Sequence, residues 1–428
     1  MKQNFSAATP LRLRLPEALS VYPLLLGSAS PRRRELLTGM GARFEVLSAD
    51  TDEHCDPALS PREMVETLSV RKACAVRSLL PKERRDETVI IASDTLVEHG
   101  GVPLGKPENY EDARRMLTAM RGSVHEVHTG VCLLLGRICV SGADTTRVAM
   151  RDFSDEELSD YIAGGEPMGK AGAYAIQGLG GALVEAIDGE LDTVIGLSRK
   201  LLVTLFDTLG ARVLAANKRK GKRASEALKS LYPNAECALR YEGDPYKLLV
   251  MGRLSAQCTD KRVNEVSPAL FTRFPTAESM ANAGAEEIAP YIRSCGLYHS
   301  KARDLALCAR RLVDVYGGTV PSDMQELLSL AGVGRKIANL LRGDLFGLPA
   351  VVTDTHFIRI CGRLGFYPES LTDPYKIERL MIPCLDARES ADFCHRIVQF
   401  GRDICTARSP KCDACPLSVV CRHKKTKK

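Results

Sequence analysis

The chain has 428 residues, 45% of them hydrophobic and 26% charged, with a net charge of +6; this is the balance of a globular protein of at least two domains, not of a disordered chain. No run approaches the ~18 uninterrupted apolar residues of a membrane helix, which argues against a spanning protein. The charge is uneven: Lys and Arg number 24 against 30 Asp and Glu through residue 210, then 35 against 23, so only the second part has the electrostatics of a polyanion binder.

Four of the 15 cysteines precede residue 210. Several stand alone in apolar runs (Cys74, Cys132, Cys308), which fits reduced, buried thiols better than a disulfide framework. Val21–Leu26 followed by Ser28-Ala29-Ser30 loosely imitates a signal peptide. The apolar run is short and Pro23 interrupts it, so a strand and loop are the better reading and a cytoplasmic location is expected.

Strands are predicted at Leu24–Leu26, Phe44–Leu47, Val89–Ile91 and Val131–Leu135, and helices around 31–40, 61–80, 109–119 and 154–164. Together they predict an α/β domain over residues 22–208. Ser30 is placed to cap a helix with Pro31 at its first position. Three arginines then fill the first turn against the helix dipole. A polyphosphate site would show that conflict, as would a solvated basic face. Asp94 and Thr95 end the run Val89–Ser93, and strand ends in α/β sheets are where ligands bind. Lys106 adds a cation, and the loop Gly172–Gly178 offers Gln177 as a polar reader. No phosphate-binding Gly-x4-Gly-Lys-Ser/Thr loop and no His/Cys metal constellation is apparent here.

Residues 209–223 include the basic run Asn217–Arg223, which reads as a solvated linker. From residue 224 no comparable β run occurs, and helical periodicity (Leu305, Leu312, Val315) predicts an all-α domain over 224–428. Gly332 and Gly334 stand two apart where one helix gives way to another. They suit either a plain turn or a hairpin whose N–H groups meet a DNA phosphate. Lys336 follows, then Asp354 in Val352–His356; the two read as a surface ion pair or as a Schiff-base nucleophile with its charge partner. Cys405-x6-Cys412-x2-Cys415-x5-Cys421 is the strongest signal, and spacing alone allows either zinc or another soft metal centre.

Residues 22–207 resemble the Maf family of nucleoside triphosphate pyrophosphatases through Ser28–Arg33, Asp50–Glu53, Arg71-Lys72-Ala73, Ser93-Asp94-Thr95, Gly105-Lys106-Pro107, His125-x2-His128-Thr129-Gly130 and Gly165–Gly178. The resemblance implies that Asp94 is the general base activating water for attack on the α-phosphate. A divalent cation such as Mg2+ would bridge the phosphates, and Arg33, Lys72 and Lys106 would offset their charge. Arg32, Thr95 and Gln177 match positions that set specificity and imply dTTP and UTP as substrates. Gly169 replaces an aspartate of the family, and Asp192–Ser198 lacks its usual asparagine and proline.

Residues 224–428 resemble endonuclease III, the helix-hairpin-helix DNA glycosylases with a C-terminal [4Fe–4S] cluster, through Leu254–Asp260, Gly296–Ala302, the hairpin, Thr353–His356 and the four cysteines. The implied fold is a six-helix barrel packed on a cluster-bearing domain. The implied chemistry is excision of oxidised pyrimidines from damaged duplex DNA. Lys336 would attack C1′ and form an imine, its ammonium made partly neutral by desolvation and nearby cations. Asp354 would stabilise the sugar cation, and β-elimination would nick the strand. Gln257 and Leu297 would fill the gap left by the extruded base, with His299 standing where the best-known members have asparagine. Cys405, Cys412, Cys415 and Cys421 would hold the cluster, whose loop carries Arg402, Arg408 and Lys411 toward phosphates. The whole reads as a two-activity enzyme, the alternative being a glycosylase/lyase fused to a non-catalytic nucleotide-sensing or division-linked binding module. No protein partner is deducible.

Overall fold

The computed structural model describes residues 11–427. The chain divides after Val213 into two units. Among the described residues no helix is long and apolar enough to cross a membrane, and all 15 cysteines are free thiols.

The first unit is built on one sheet: β1 (Leu24–Leu26), β2 (Phe44–Val46), β3 (Val89–His99), β4 (Val102–Leu104), β5 (Val124–Leu135), β6 (Ile138–Met150) and β7 (Val184–Asp188). The order is β2-β1-β3-β5-β6-β7, with β4 pairing β3. β1 runs parallel to β2 and β3, and the pairs from β3 through β7 are antiparallel. Around it lie α1 (Pro31–Gly39), α2 (Pro61–Leu79), α3 (Tyr110–Met120), α4 (Asp155–Ala163), α5 (Leu191–Ile195) and the long α6 (Arg199–Leu231).

The apolar runs of β1 and early β3 are continuous because both faces of the sheet are covered. Leu24, Leu26, Val89 and Ile91 pack with Leu37 of α1 and Phe206 of α6. Leu25, Ile90 and Cys132 face the other way, onto Ala73 and Val76 of α2. The far ends of β3 and β5 meet α3 and α4 through Val97, Val127, Leu117 and Leu158. A capping box of Ser60 and Glu63 starts α2.

The division falls inside α6, so the expected solvated linker is a correction: residues 209–223 are helical. Polarity alone misled, because several of these side chains are partnered. Asn217 donates to the Phe366 carbonyl at 3.0 Å and Lys220 to that of Gly365 at 2.6 Å, and Gly221 is buried against the Cys384 carbonyl.

The second unit is helical: α7 (Pro245–Leu254), α8 (Asp260–Arg273), α9 (Ala277–Ile288), α10 (Tyr298–Tyr316), α11 (Met324–Leu328), α12 (Arg335–Phe346), α13 (Thr355–Leu364), α14 (Pro374–Met381), α15 (Ser390–Asp403) and α16 (Arg422–Lys427). Helices α7 to α12 share one core, which includes Leu248, Leu270, Met280, Leu305, Leu327 and Leu341. Beyond it Phe357 of α13 meets Phe393 of α15 edge to face, ring centroids 6.1 Å apart.

Candidate active sites

In the first unit a cavity of about 720 Å³ opens between β3, α1, α2 and the loop near residue 170. Asp94 lies on β3 and is buried, 9% exposed. Lys72, reaching from α2, contacts the Asp94 carboxylate and pairs with Glu53 at 2.9 Å. That hydrogen bond holds Glu53 below the usual carboxylate range, aided by Lys106 and Arg33. Arg32, Arg33, Lys72, Lys106 and Lys170 line the cavity against the acids Asp94 and Glu53. The excess of positive charge suits a polyanion.

Arg33 does not swing free. Its Nε donates to the Gly196 carbonyl at 2.9 Å, and its Nη atoms to Ser28 Oγ and Thr95 Oγ1, both at 3.2 Å. Burial lowers its pKa, while Asp94 and Glu53 oppose the shift. Thr95 Oγ1 also meets Thr129 Oγ1 at 2.9 Å, and Thr129 donates to the Thr193 carbonyl. The segment 192–198, which departs from the family pattern, thus supplies carbonyls that fix the site. Ser30 occupies the N-cap of α1 with Pro31 next, but its side chain makes no capping bond. The first N–H groups of α1 therefore remain available to an anion. Gly169 lines the cavity; Gln177 is exposed and outside its lining, where Ile176 stands instead.

In the second unit a cleft of about 700 Å³ is lined by both Lys336 and Asp354. Lys336 is the second residue of α12 and is exposed, so the expected desolvation is not provided by the protein alone. Asp354 is the N-cap of α13 and accepts the Phe357 N–H at 2.7 Å. This bond fixes the carboxylate at the cleft wall. Burial lowers the pKa of the neighbouring His356, which also lines the cleft.

Gln257, Leu297 and His299 are exposed and outside the cleft lining. Gln257 and Leu297 adopt left-handed φ of 53° and 60°, a costly backbone for such residues that clusters at functional sites. Leu297 is 64% exposed. His299 stacks on Tyr298 with centroids 4.0 Å apart. In the hairpin Gly332 has φ 74°, and a Cβ there would come within 2.4 Å of Arg253 Nε. Gly334 caps α12 without a side-chain bond.

Two supports were not singled out from sequence. Buried Lys301 donates from Nζ to the Leu254 carbonyl at 2.8 Å, just ahead of Gln257. Arg335 forms a two-bond pair with buried Glu378, at 2.7 and 2.5 Å, anchoring the turn that presents Lys336. A long-range partner such as Glu378 leaves no local signal in the sequence.

Arg363 of α13 clamps the cysteine loop: it donates to Cys405 Sγ at 3.4 Å and to the Thr406 and Ala407 carbonyls at 2.8 Å each. Cys421 Sγ donates to the Arg363 carbonyl at 3.5 Å. The four thiols fall within one 17-residue segment and suit a soft metal centre. Arg408 and Lys411 are exposed, whereas Arg402 pairs with Asp260 at 3.0 Å.

Residues 23–209 match the Maf-like protein family, residues 250–383 the HhH-GPD superfamily base excision DNA repair proteins, and residues 405–421 the iron–sulfur binding domain of endonuclease III. An endonuclease III of Synechocystis sp. is 42% identical over 211 residues, covering 49% of this chain and 95% of that protein. A dTTP/UTP pyrophosphatase of Gloeobacter violaceus is 45% identical over 190 residues, covering 44% of this chain and 97% of that protein. The solved structure of a non-covalent endonuclease III–DNA complex is 38% identical, covers 49% of this chain and 97% of its own, and has a TM-score of 0.46. The four thiols accordingly constitute an iron–sulfur site, and the chain belongs to two families, Maf in its first unit and endonuclease III in its second.

Proposed function

We propose that the first unit hydrolyses dTTP and UTP to the monophosphate and pyrophosphate. The second excises oxidised pyrimidines from duplex DNA and nicks the abasic strand. The division of labour follows residues 22–208 and 224–428. The observation that carries this reading is convergence: one cavity collects Asp94 among five cations, and another collects Lys336 with Asp354. A reducing cytoplasm suits the 15 free thiols.

In the first unit the entering triphosphate draws Lys72 off Asp94 and gathers Lys106 beside the fixed Arg33. Asp94 then takes a proton from water as its oxygen bonds to the α-phosphorus and the bond to the pyrophosphate breaks. Arg32 and Thr95 at the cavity, and Gln177 next in sequence to the cavity-lining Ile176, select the base. Glu53 and Asp94 offer hard oxygen donors that fit a divalent cation such as Mg2+, which would supply charge neutralisation on the phosphates.

In the second unit Lys336 Nζ bonds to C1′ of an extruded nucleotide as the bond to the base breaks. Asp354 stabilises the positive charge on the sugar and accepts the amine proton. The sugar ring then opens, the nitrogen lone pair forming the imine as the C1′–O4′ bond breaks and O4′ takes a proton; loss of a C2′ proton from that imine expels the 3′ phosphate. DNA covering the cleft provides the desolvation that exposed Lys336 lacks alone. Gln257 and Leu297, exposed and already held in left-handed backbone, fit the emptied stack with His299 beside them. The Gly332–Gly334 hairpin offers N–H groups to a phosphate. Cys405, Cys412, Cys415 and Cys421 would hold a [4Fe–4S] cluster, which would supply a rigid cross-link for the loop bearing Arg408 and Lys411.

Borohydride trapping tests the lyase. Wild-type protein should form a covalent complex with duplex containing an oxidised pyrimidine, and Lys336→Ala should form none while still binding that duplex. Trapping that survives in Lys336→Ala would remove the lysine from the mechanism.

A further inference from the structure

The face of the first sheet that carries Asp94 holds a second constellation. Glu98 of β3 and Glu126 of β5 are direct cross-strand partners. Like charges directly opposite each other destabilise a strand pair. His128 lies between them, two residues along β5 from Glu126. Its side chain is 6% exposed, and its Nε2 is 3.6 Å from Glu98 Oε2 and 3.7 Å from Glu126 Oε2. These separations are too long for hydrogen bonds, and the buried Nε2 has no hydrogen-bond partner.

The remaining donors and acceptors of the group face other partners. His128 Nδ1 meets Thr145 Oγ1 at 2.9 Å, which fixes the ring and, with Nδ1 protonated, turns the lone pair of Nε2 toward the carboxylates. Glu98 Oε1 accepts the Gly101 N–H at 2.5 Å, and Glu126 Oε1 lies 3.9 Å from Arg147. One oxygen of each acid and one nitrogen are left, and these ligand atoms all lie within 4.8 Å of one another. Donors sharing a tetrahedral metal at about 2.0–2.2 Å stand roughly 3.3–3.6 Å apart. The three residues are also set apart from the nucleotide cavity, since none of them lines it.

We propose that Glu98, Glu126 and His128 bind a divalent transition metal, zinc being the best fit to one imidazole and two carboxylates, with water completing the shell. The ion cross-links β3 to β5 four residues, or about 13 Å, from Asp94, and neutralises the facing acids. It is a structural site, separate from the cation that accompanies the nucleotide.

Metal counting tests it. Full-length protein with its iron–sulfur cluster in place is dialysed against Zn2+ and then against metal-free buffer, and zinc and iron are measured per chain. Wild type should retain one zinc equivalent more than Glu126→Gln, which removes a charge from a half-exposed side chain without changing its shape. His128→Gln should lose the same equivalent, and iron should be equal in all three. If His128→Gln does not fold, Glu126→Gln decides alone. Equal zinc in wild type and Glu126→Gln, or no zinc in wild type, overturns the site.

Discussion

Lys301 carries an amine where nothing solvates it: the side chain is fully buried, and burial lowers its pKa. Its Nζ holds the carbonyl that ends α7, and its own N–H bonds to the Leu297 carbonyl. One residue therefore ties together the segments bearing Gln257 and Leu297. Lys301→Met keeps the chain length but leaves the Leu254 carbonyl unpaired, at an expected cost of about 1–3 kcal/mol. A lower melting temperature with weakened binding to lesion duplex is expected; an unchanged melt would contradict the role. In the first unit His125 Nε2 meets the Tyr174 hydroxyl at 2.8 Å. Burial, with His99 acting in the same direction, lowers its pKa from the ordinary 6.5 to about 4. Between those values the unfolded chain binds a proton that the folded one refuses. Stability present above pH 6.5 is therefore lost as pH falls toward 4, on the order of 3 kcal/mol. Melting of the first unit at pH 7 and pH 5 should show the loss, and His125→Gln should flatten it.

Helix α2 owes its position to a missing side chain on β5. A Cβ on Gly130 would lie 2.1 Å from the Val65 carbonyl oxygen and 2.7 Å from the Glu66 nitrogen. Because α2 delivers Lys72 to Asp94, this contact also sets the geometry of the proposed site. Gly130→Ala should cost about 1–3 kcal/mol or more and lower pyrophosphate release together with the melting temperature. Full activity at wild-type stability would contradict the argument. Elements with continuous apolar runs were legible from sequence: β1 matches its expected residues, and four helices of the first unit lie within a residue of expectation at each end. β3 runs eight residues past Ile91, and β6 was missed altogether. Their polar stretches, Ser93–Thr95 and Ser141–Arg147, face the site or its supports, so function there overrides the hydrophobic pattern that prediction relies on. Glu98, Glu126 and His128 meet only through strand register, which no local spacing reveals.

Across the whole molecule the same contrast holds between local and distant signals. Asp94, Lys336, Asp354 and the four cysteines sit in short motifs, so the sequence alone singles them out as candidates. Glu378 beneath Arg335, and the carbonyls of 192–198 around Arg33, come from segments 43 to 163 residues away, and only folding brings them in. The uneven charge is consistent with two polyanionic substrates of different size: a local cluster of five cations for a triphosphate, and an overall basic second part for a duplex. The proposed function requires one chain to carry two active sites that work separately. The direct measurement runs both reactions on the same preparations: pyrophosphate release from dTTP and UTP with Mg2+, and nicking of a duplex containing an abasic site. Wild type should do both; Asp94→Asn should lose only the first, and Lys336→Ala only the second. Pyrophosphate release that is absent from wild type, or unaffected by Asp94→Asn, would contradict the account.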